Sequence, residues 1–208
     1  VGFPVKMSFD LLVCMDLKPT DKMMWISDFG WVVGPMITTV CAMAGATMVL
    51  VEGTPDYPDP DRMWRLCQEQ EITFLGVAPT TIRGLMRGGT DDIKKWDLSN
   101  LHVVASTGEP WTDEAWNWCF EHVCQRRVPL FNWVGGTEIS GGILVSTMVH
   151  PLKPCCFGGS VPGMEADILD EAGQPTAPGE VGELVLRAPS IGLTRGIWGD
   201  PERYMETY

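Results

Sequence analysis

Residues 131–142 read FNWVGGTEISGG and continue a short apolar run. Gly135 and Gly136 carry no Cβ atom, so the backbone there can come close to a ligand. Thr137 supplies a hydroxyl that can donate to an anionic oxygen, and Glu138 supplies a hard carboxylate of the kind that Mg²⁺ prefers. The stretch therefore predicts a strand that ends in a loop able to hold a metal-bound phosphate. Taken alone, a glycine turn with a solvated Thr-Glu pair fits it equally well.

Strand and helix patterns alternate on the amino-terminal side of this stretch. Short apolar runs predict strands at 22–26, 46–51, 73–77, 101–105 and 128–133. Residues with helical spacing lie before and between them. This alternation predicts an α/β fold with a doubly wound, mostly parallel sheet. Ligands of such sheets bind in the loops at the carboxyl ends of the strands, which here are residues 78–80, 106–111 and 133–142.

The pattern changes at about residue 149, where proline and glycine become frequent. Strands are predicted at 165–169 and 182–187, on either side of a turn at 170–173. A short helix is predicted at 201–207. We therefore expect an α/β subdomain at residues 1–148 and part of a small β-rich, barrel-like subdomain at 149–208.

Helix boundaries are predicted from capping residues. Asp28 and Asp59 each precede a helical pattern and are predicted as N-caps, the second with proline at the first helical position. Thr112 is followed by two acidic residues, which favour a helix start because the amino-terminal end of a helix attracts negative charge. Residues 29–51 contain no charged side chain. Since glycine and proline interrupt this stretch, it predicts a buried helix, a turn at Gly45 and a buried strand, and no membrane span.

Composition excludes some classes of function. The net charge is −12, and the basic residues form no cluster larger than the pair Arg126-Arg127, so a nucleic-acid partner is not expected. The seven cysteines include no CxxC motif and are predicted to be reduced packing residues of a cytoplasmic protein. The chain begins with Val1, which suggests a piece of a longer protein.

Three segments in this order carry a family resemblance: ASTGEP at 105–110, the stretch at 131–142 and GELVLR at 182–187. Together they resemble the adenylate-forming, or AMP-binding, superfamily, and within it the acyl-CoA synthetases of the acetyl-CoA synthetase type. The resemblance covers essentially the whole chain. It implies a fragment of the large amino-terminal domain of such an enzyme.

The resemblance implies an ATP-dependent acid–thiol ligase that acts in two steps. A short- or medium-chain carboxylate would attack the α-phosphorus of ATP to give an acyl-adenylate, and coenzyme A would then displace AMP. The implied cofactors are ATP and Mg²⁺, with coenzyme A as co-substrate. The partners implied are the small carboxylate and the rest of the enzyme, namely an amino-terminal phosphate-binding segment and a carboxyl-terminal domain with the catalytic lysine. Without those parts the fragment is expected to be inactive.

The resemblance also assigns residues. It implies that Thr137 contacts the α-phosphate and that Glu138 binds Mg²⁺, which makes these two the catalytic residues of the fragment. The residues implied to bind the nucleotide, adenine included, are Gly108, Glu109, Pro110, Asn132, Trp133, Gly136 and Thr137.

The implied acyl pocket involves Trp31, Gly34, Val77 and Gly135. In acetate-specific members of the family, a bulky tryptophan closes the pocket at the position that matches Gly135. Glycine there predicts propionate or a larger acyl group, with graded preferences because each buried methylene contributes only about 0.8 kcal/mol.

Two other functions stay open. One is an amino-acid adenylation domain, which typically carries an aspartate for the substrate amine near the position of Trp31; residues 28–31, DFGW, match the acyl-CoA synthetase pattern better. The other is a non-catalytic α/β binding module that kept the fold. Such a module should be indifferent to changes at Thr137 and Glu138.

Overall fold

The computed structural model describes residues 1–89 and 91–208. The strands of this part of the chain are β1 (Lys22–Trp25), β2 (Thr47–Val49), β3 (Phe74–Val77), β4 (Val103–Ser106), β5 (Leu130–Gly136), β6 (Gly141–Val145), β7 (Gly159–Ser160), β8 (Ala166–Leu169) and β9 (Glu183–Leu186). Its α-helices are α1 (Gly2–Ser8), α2 (Val33–Ala44), α3 (Arg62–Glu69), α4 (Pro79–Met86), α5 (Asp113–Trp118) and α6 (Pro201–Thr207). Helices α1 and α5 continue as π-helical turns over Phe9–Cys14 and Cys119–Val123.

The main sheet has seven strands in the order β2-β1-β3-β4-β5-β6-β7. Strands β1 to β5 are all parallel to one another, which confirms the predicted parallel sheet. Strands β6 and β7 extend it in antiparallel fashion. The prediction had no strand there, because Gly141 and Gly142 are weak strand formers.

Helices cover both faces of the sheet, as expected for a doubly wound fold. Alternate residues of one strand point to opposite faces, so Phe74 packs with α1 and α2 while Leu75 packs with α3, α4 and α5. Each face of the sheet therefore has its own apolar core.

The helix starts are partly as predicted. Thr112 accepts a hydrogen bond from Ala115 N at 3.4 Å and caps α5. Asp28 does not cap α2, because its Oδ1 accepts from Gly30 N at 2.6 Å and shapes the preceding loop. The prediction of Asp59 as an N-cap is also wrong. Asp61 is the residue that precedes α3, and residues 59–61 form a separate turn.

The uncharged segment 29–51 forms the predicted helix, turn and strand, but the strand is not buried, because β2 lies at the edge of the sheet. It contains α2, the left-handed Gly45 with a φ of 75°, and β2. None of the helices that the structure describes is long and apolar enough to cross a membrane.

The carboxyl-terminal region contains the predicted strands and helix. Strands β8 and β9 pair antiparallel from Ala166↔Leu186 to Leu169↔Glu183. Asp200 caps α6 by accepting from Arg203 N. The division of the chain between residues 148 and 149 stays a prediction.

Candidate active site

A cavity of about 940 Å³ lies at the carboxyl ends of the parallel strands. Each of the strands β1 to β5 contributes residues that follow or end the strand. Apart from Met7 of α1, the lining comes from residues 25–33, 51–55, 78–81, 107–109 and 133–141. This is the edge at which the sequence predicted that the ligand loops would meet.

The structure brings half of the predicted site residues to this cavity. Those that line it are Trp31, Gly108, Glu109, Trp133, Gly135 and Gly136. Those that do not are Gly34, Val77, Pro110, Asn132, Thr137 and Glu138. Among the latter, Val77 is fully buried in the core, and Gly34 packs against the backbone of Phe29.

Aromatic side chains form much of the wall. The rings of Trp25 and Trp133 meet edge to face with centroids 6.4 Å apart, and both line the cavity together with Phe29 and Trp31. Gly76, opposite Trp25 in the neighbouring strand, has no side chain because the indole occupies that space. The wall is therefore largely apolar, which suits a ligand with an apolar portion.

Glu109 fixes the loop after β4 against helix α4. One carboxylate oxygen accepts from Thr80 N at 2.9 Å, and the other pairs with the guanidinium of Arg83. Burial acts to raise the pKa of Glu109, but the hydrogen bonds from Thr80 and Arg83 and the charge of Arg83 outweigh it and hold the pKa below its usual value. Both carboxylate oxygens of Glu109 are thus bound by protein groups. Gly108, with a φ of 104°, lines the cavity with its backbone.

Thr137 and Glu138 lie in the turn of the hairpin between β5 and β6. Thr137–Ile139 form a 3₁₀ turn that ends at the left-handed Ser140. Both side chains are exposed. A Cβ atom on cavity-lining Gly136 would be 3.0 Å from Glu138 Oε2, so the carboxylate lies at the cavity rim. Its other oxygen accepts from the Tyr208 hydroxyl at 3.1 Å.

Asn132 lies inside the protein beneath this rim. It is 5% exposed, and its Nδ2 is 3.5 Å from the carbonyl oxygen of Cys156. The amide therefore faces the backbone of residue 156.

The donor set fits a magnesium ion that is bound mainly by a nucleotide. Within residues 1–89 and 91–208, no group of three or more His, Cys, Asp or Glu side chains is placed to hold a metal. Mg²⁺ is commonly held by one or two carboxylates together with substrate phosphates and water. An exposed Glu138 at the rim of a nucleotide-sized cavity meets that requirement.

A buried ion pair that was not predicted from the sequence lies behind the hairpin. Lys6 Nζ donates to both carboxylate oxygens of Asp10 at 2.6 and 2.7 Å, and to the carbonyl oxygen of Gly142 at 2.8 Å. Burial raises the pKa of Asp10, against the opposing charge of Lys6 and the hydrogen bond from Gly142. The available signal was the pair of opposite charges four residues apart in an apolar helix, but that spacing is equally typical of exposed pairs.

The model of the family described as AMP-binding enzyme matches residues 5–198. An acetyl-coenzyme A synthetase of Pyrobaculum aerophilum is 38% identical, over all of this chain and 32% of its own length. One from Chromobacterium violaceum is 40% identical over 93% of this chain and 30% of its own length. The chain thus spans about a third of these relatives.

A solved structure has the same fold. An anthranilate CoA ligase in complex with anthranoyl-AMP superposes with a TM-score of 0.84 over 99% of this chain and 38% of its own chain. The identity is 20%, so this likeness concerns the fold alone.

Proposed function

Because the chain belongs to the AMP-binding enzyme family, we propose that it is part of an ATP-dependent acid–thiol ligase. The enzyme activates a short- or medium-chain carboxylate as an acyl-adenylate and transfers the acyl group to coenzyme A. The observation that carries the proposal is the convergence of the 107–109 loop and the end of β5 on one apolar-walled cavity at the carboxyl edge of the sheet, with the Thr137-Glu138 turn at its rim.

The proposed nucleotide site lies along the loop after β4 and the end of β5. Gly108, Glu109 and Pro110 contact adenine by backbone and shape, since the Glu109 carboxylate is occupied by Thr80 and Arg83. Gly136 completes this side of the site with Trp133 as its wall, and Asn132 supports it from inside the protein. The hydroxyl of Thr137 donates to the α-phosphate.

Glu138 is the proposed protein ligand of Mg²⁺. The ion, when bound with the nucleotide, neutralises negative charge on the phosphates. The residues of this chain contribute the carboxylate, the exposed position at the rim and the rigid turn that holds it.

The proposed acyl pocket lies between Trp31 and Gly135, with Gly34 and Val77 behind its wall. Gly135 lines the cavity with backbone alone. Because its Cβ direction meets the backbone of Gly141, the proposal of an acyl group larger than acetyl rests on the family pattern at this position. The seven free cysteines support the predicted cytoplasmic location.

One observation keeps the amino-acid adenylation alternative open. Asp28 is exposed and lines the cavity close to Trp31, where a carboxylate would suit a substrate amine. Its Oδ1 is bound to Gly30 N, so one oxygen already has a structural role. We therefore place the amino-acid substrate second.

The test is ATP–pyrophosphate exchange by the full-length enzyme that contains this chain. Carboxylic acids of graded length and a panel of amino acids would be compared in the presence of Mg²⁺. We expect exchange with propionate or longer acids, and a loss of about 100-fold or more in kcat for Glu138→Gln. Thr137→Val should also reduce kcat.

The matched control is Glu171→Gln, which removes an exposed carboxylate from the turn between β8 and β9 and should leave exchange unchanged. Exchange with amino acids alone would favour the adenylation-domain alternative. A wild-type enzyme with no exchange for any acid, or a fully active Glu138→Gln variant, would contradict the proposal.

A further inference from the structure

The Lys6–Asp10 pair is almost completely removed from water. Lys6 is 4% exposed and Asp10 is not exposed at all. A buried ion pair is weak support for stability, because the cost of desolvating two charges offsets much of their attraction. Its presence next to the candidate site therefore calls for another role.

The pair binds both backbone polar groups of one residue in β6. Gly142 N donates to Asp10 Oδ2 at 2.7 Å, and the Gly142 carbonyl accepts from Lys6 Nζ at 2.8 Å. Further along the same edge of β6, residues 159–161 bind the backbone. Strand β7 pairs with β6, and Val161 N donates to the carbonyl oxygen of Ile143. At Gly142 the two side chains thus take the place of a neighbouring strand.

The glycines of the hairpin are adapted to this contact. A side chain on Gly141 would meet the carboxylate of Asp10 and the ammonium group of Lys6. A side chain on Gly142 would overlap the indole of Trp133, which lines the cavity. The pair, the hairpin and the aromatic wall therefore form one packed unit.

A further segment completes this unit. Thr194 N donates to the carbonyl oxygen of Glu138 at 2.6 Å. A Cβ atom on Gly192 would be 2.8 Å from Lys6 Cγ and would overlap the carbonyl oxygen of Ile139. The Thr137–Ile139 turn is thus held between the 192–194 segment and the edge of β6 that Lys6 and Asp10 bind.

We propose that Lys6 and Asp10 are positioning residues for adenylate formation. Through Gly142 they set the position of β6, and so hold Thr137 and Glu138 at the rim and Trp133 in the wall. This inference rests on the proposed function, because it assigns the pair a role in that reaction. Neither side chain contacts substrate in this role.

The test is the double variant Lys6→Met/Asp10→Leu in the full-length enzyme. It replaces the pair by apolar groups of similar size, so the protein should stay folded while both bonds to Gly142 are lost. We expect kcat for ATP–pyrophosphate exchange to fall on the order of 100-fold, the loss that a misplacement of about 1 Å can cause, with KM for ATP nearly unchanged. Amide hydrogen exchange at residues 137–145 should accelerate, while that of α4 should not.

The matched control is Arg65→Met/Glu69→Leu, which removes a partly exposed pair with the same spacing on α3. It should change neither kcat for ATP–pyrophosphate exchange nor the amide hydrogen exchange of the hairpin. The milder Asp10→Asn variant keeps an oxygen that can accept from Gly142 N. Its kcat should lie between those of the wild type and the double variant.

The outcomes separate this inference from the proposed function. A wild-type enzyme that activates no acid would overturn the proposed function. The wild type could be active while the double variant shows unchanged kcat and unchanged amide hydrogen exchange in the hairpin. That result would overturn the positioning role alone. If the double variant and Asp10→Asn both fail to fold, the pair is a folding requirement and the positioning role is overturned as well.

Discussion

Gly135 and the backbone carbonyl oxygen of Gly141 are so close across the β5–β6 hairpin that a Cβ atom on Gly135 would overlap that oxygen. The pairing is irregular here, with a shift of register between Val134 and Gly135. Glycine at 135 is therefore required by the hairpin itself, in addition to any effect on the acyl pocket. A tryptophan at this position would have to move β6.

We expect Gly135→Ala to lower the free energy of unfolding by about 1–3 kcal/mol, because the added methyl group overpacks the hairpin. The control is Gly84→Ala in α4, where, apart from its chain neighbours and the backbone of the helix itself, no described heavy atom lies within 4 Å of the added Cβ. The free energy of unfolding of that variant should rise by about 0.5–1 kcal/mol, since alanine is the better helix former. Urea-induced unfolding of the full-length protein measures both. A stable Gly135→Ala variant would show that the hairpin accommodates side chains.

The contact of Glu109 with Thr80 and Arg83 predicts a pH dependence. The pKa of Glu109 is lowered in the folded state, so its contribution is present above its usual pKa of 4.5 and is lost as the pH falls through the lower folded value. Glu109→Gln should thus be less stable than wild type by about 1 kcal/mol at neutral pH, a modest value because the pair is partly exposed. The difference should shrink below pH 4.5.

Urea titrations of the two proteins from neutral to acidic pH provide this test. Glu171→Gln, on an exposed turn, serves as the control and should track wild type at every pH. A Glu109→Gln deficit that persists unchanged at the acidic end would mean that the carboxylate charge contributes nothing.

The parallel part of the fold follows from local patterns, while the hairpin depends on distant residues. Short apolar runs such as 74–77 are enough to predict β3, because a strand buried on both faces must be apolar throughout. Gly141–Val145 begins with two glycines, which are weak strand formers, and its edge is bound by side chains from α1 and its π-helical continuation, more than a hundred positions earlier in the chain. Similarly, the motif loops could be located from sequence, but the contribution of residues 51–55 to the cavity required the three-dimensional arrangement.

The Lys6–Asp10 pair should show strongly non-additive energetics. Lys6→Met alone leaves the Asp10 carboxylate buried without its cation and should cost about 3–5 kcal/mol of unfolding free energy. Lys6→Met/Asp10→Leu removes both charges, so its free energy of unfolding should lie much closer to that of the wild type. A double-mutant cycle in urea measures the coupling. Additive losses would mean that each side chain acts independently, through packing alone.

Cys155 and Asp113 provide the last prediction. Cys155 Sγ donates to Asp113 Oδ1 at 3.1 Å, and burial together with this hydrogen bond and the aspartate charge raises the pKa of Cys155 to about 11. Since the thiolate is the reactive form, Cys155 should be alkylated slowly near neutral pH. Asp113→Asn removes the negative charge, lowers the thiol pKa and should accelerate alkylation several-fold.

A Cys156→Ser background isolates this thiol, because the other five cysteines are buried. The rate of reaction with iodoacetamide, followed by mass spectrometry at pH 8, is the readout. Glu114→Gln is the matched control, since it removes a carboxylate from the same first turn of α5 and so changes the charge at the helix terminus equally. Equal acceleration by both variants would assign the effect to the helix terminus, because only Asp113 has a direct bond to the thiol. Acceleration by Asp113→Asn alone would establish that this hydrogen bond keeps Cys155 protonated.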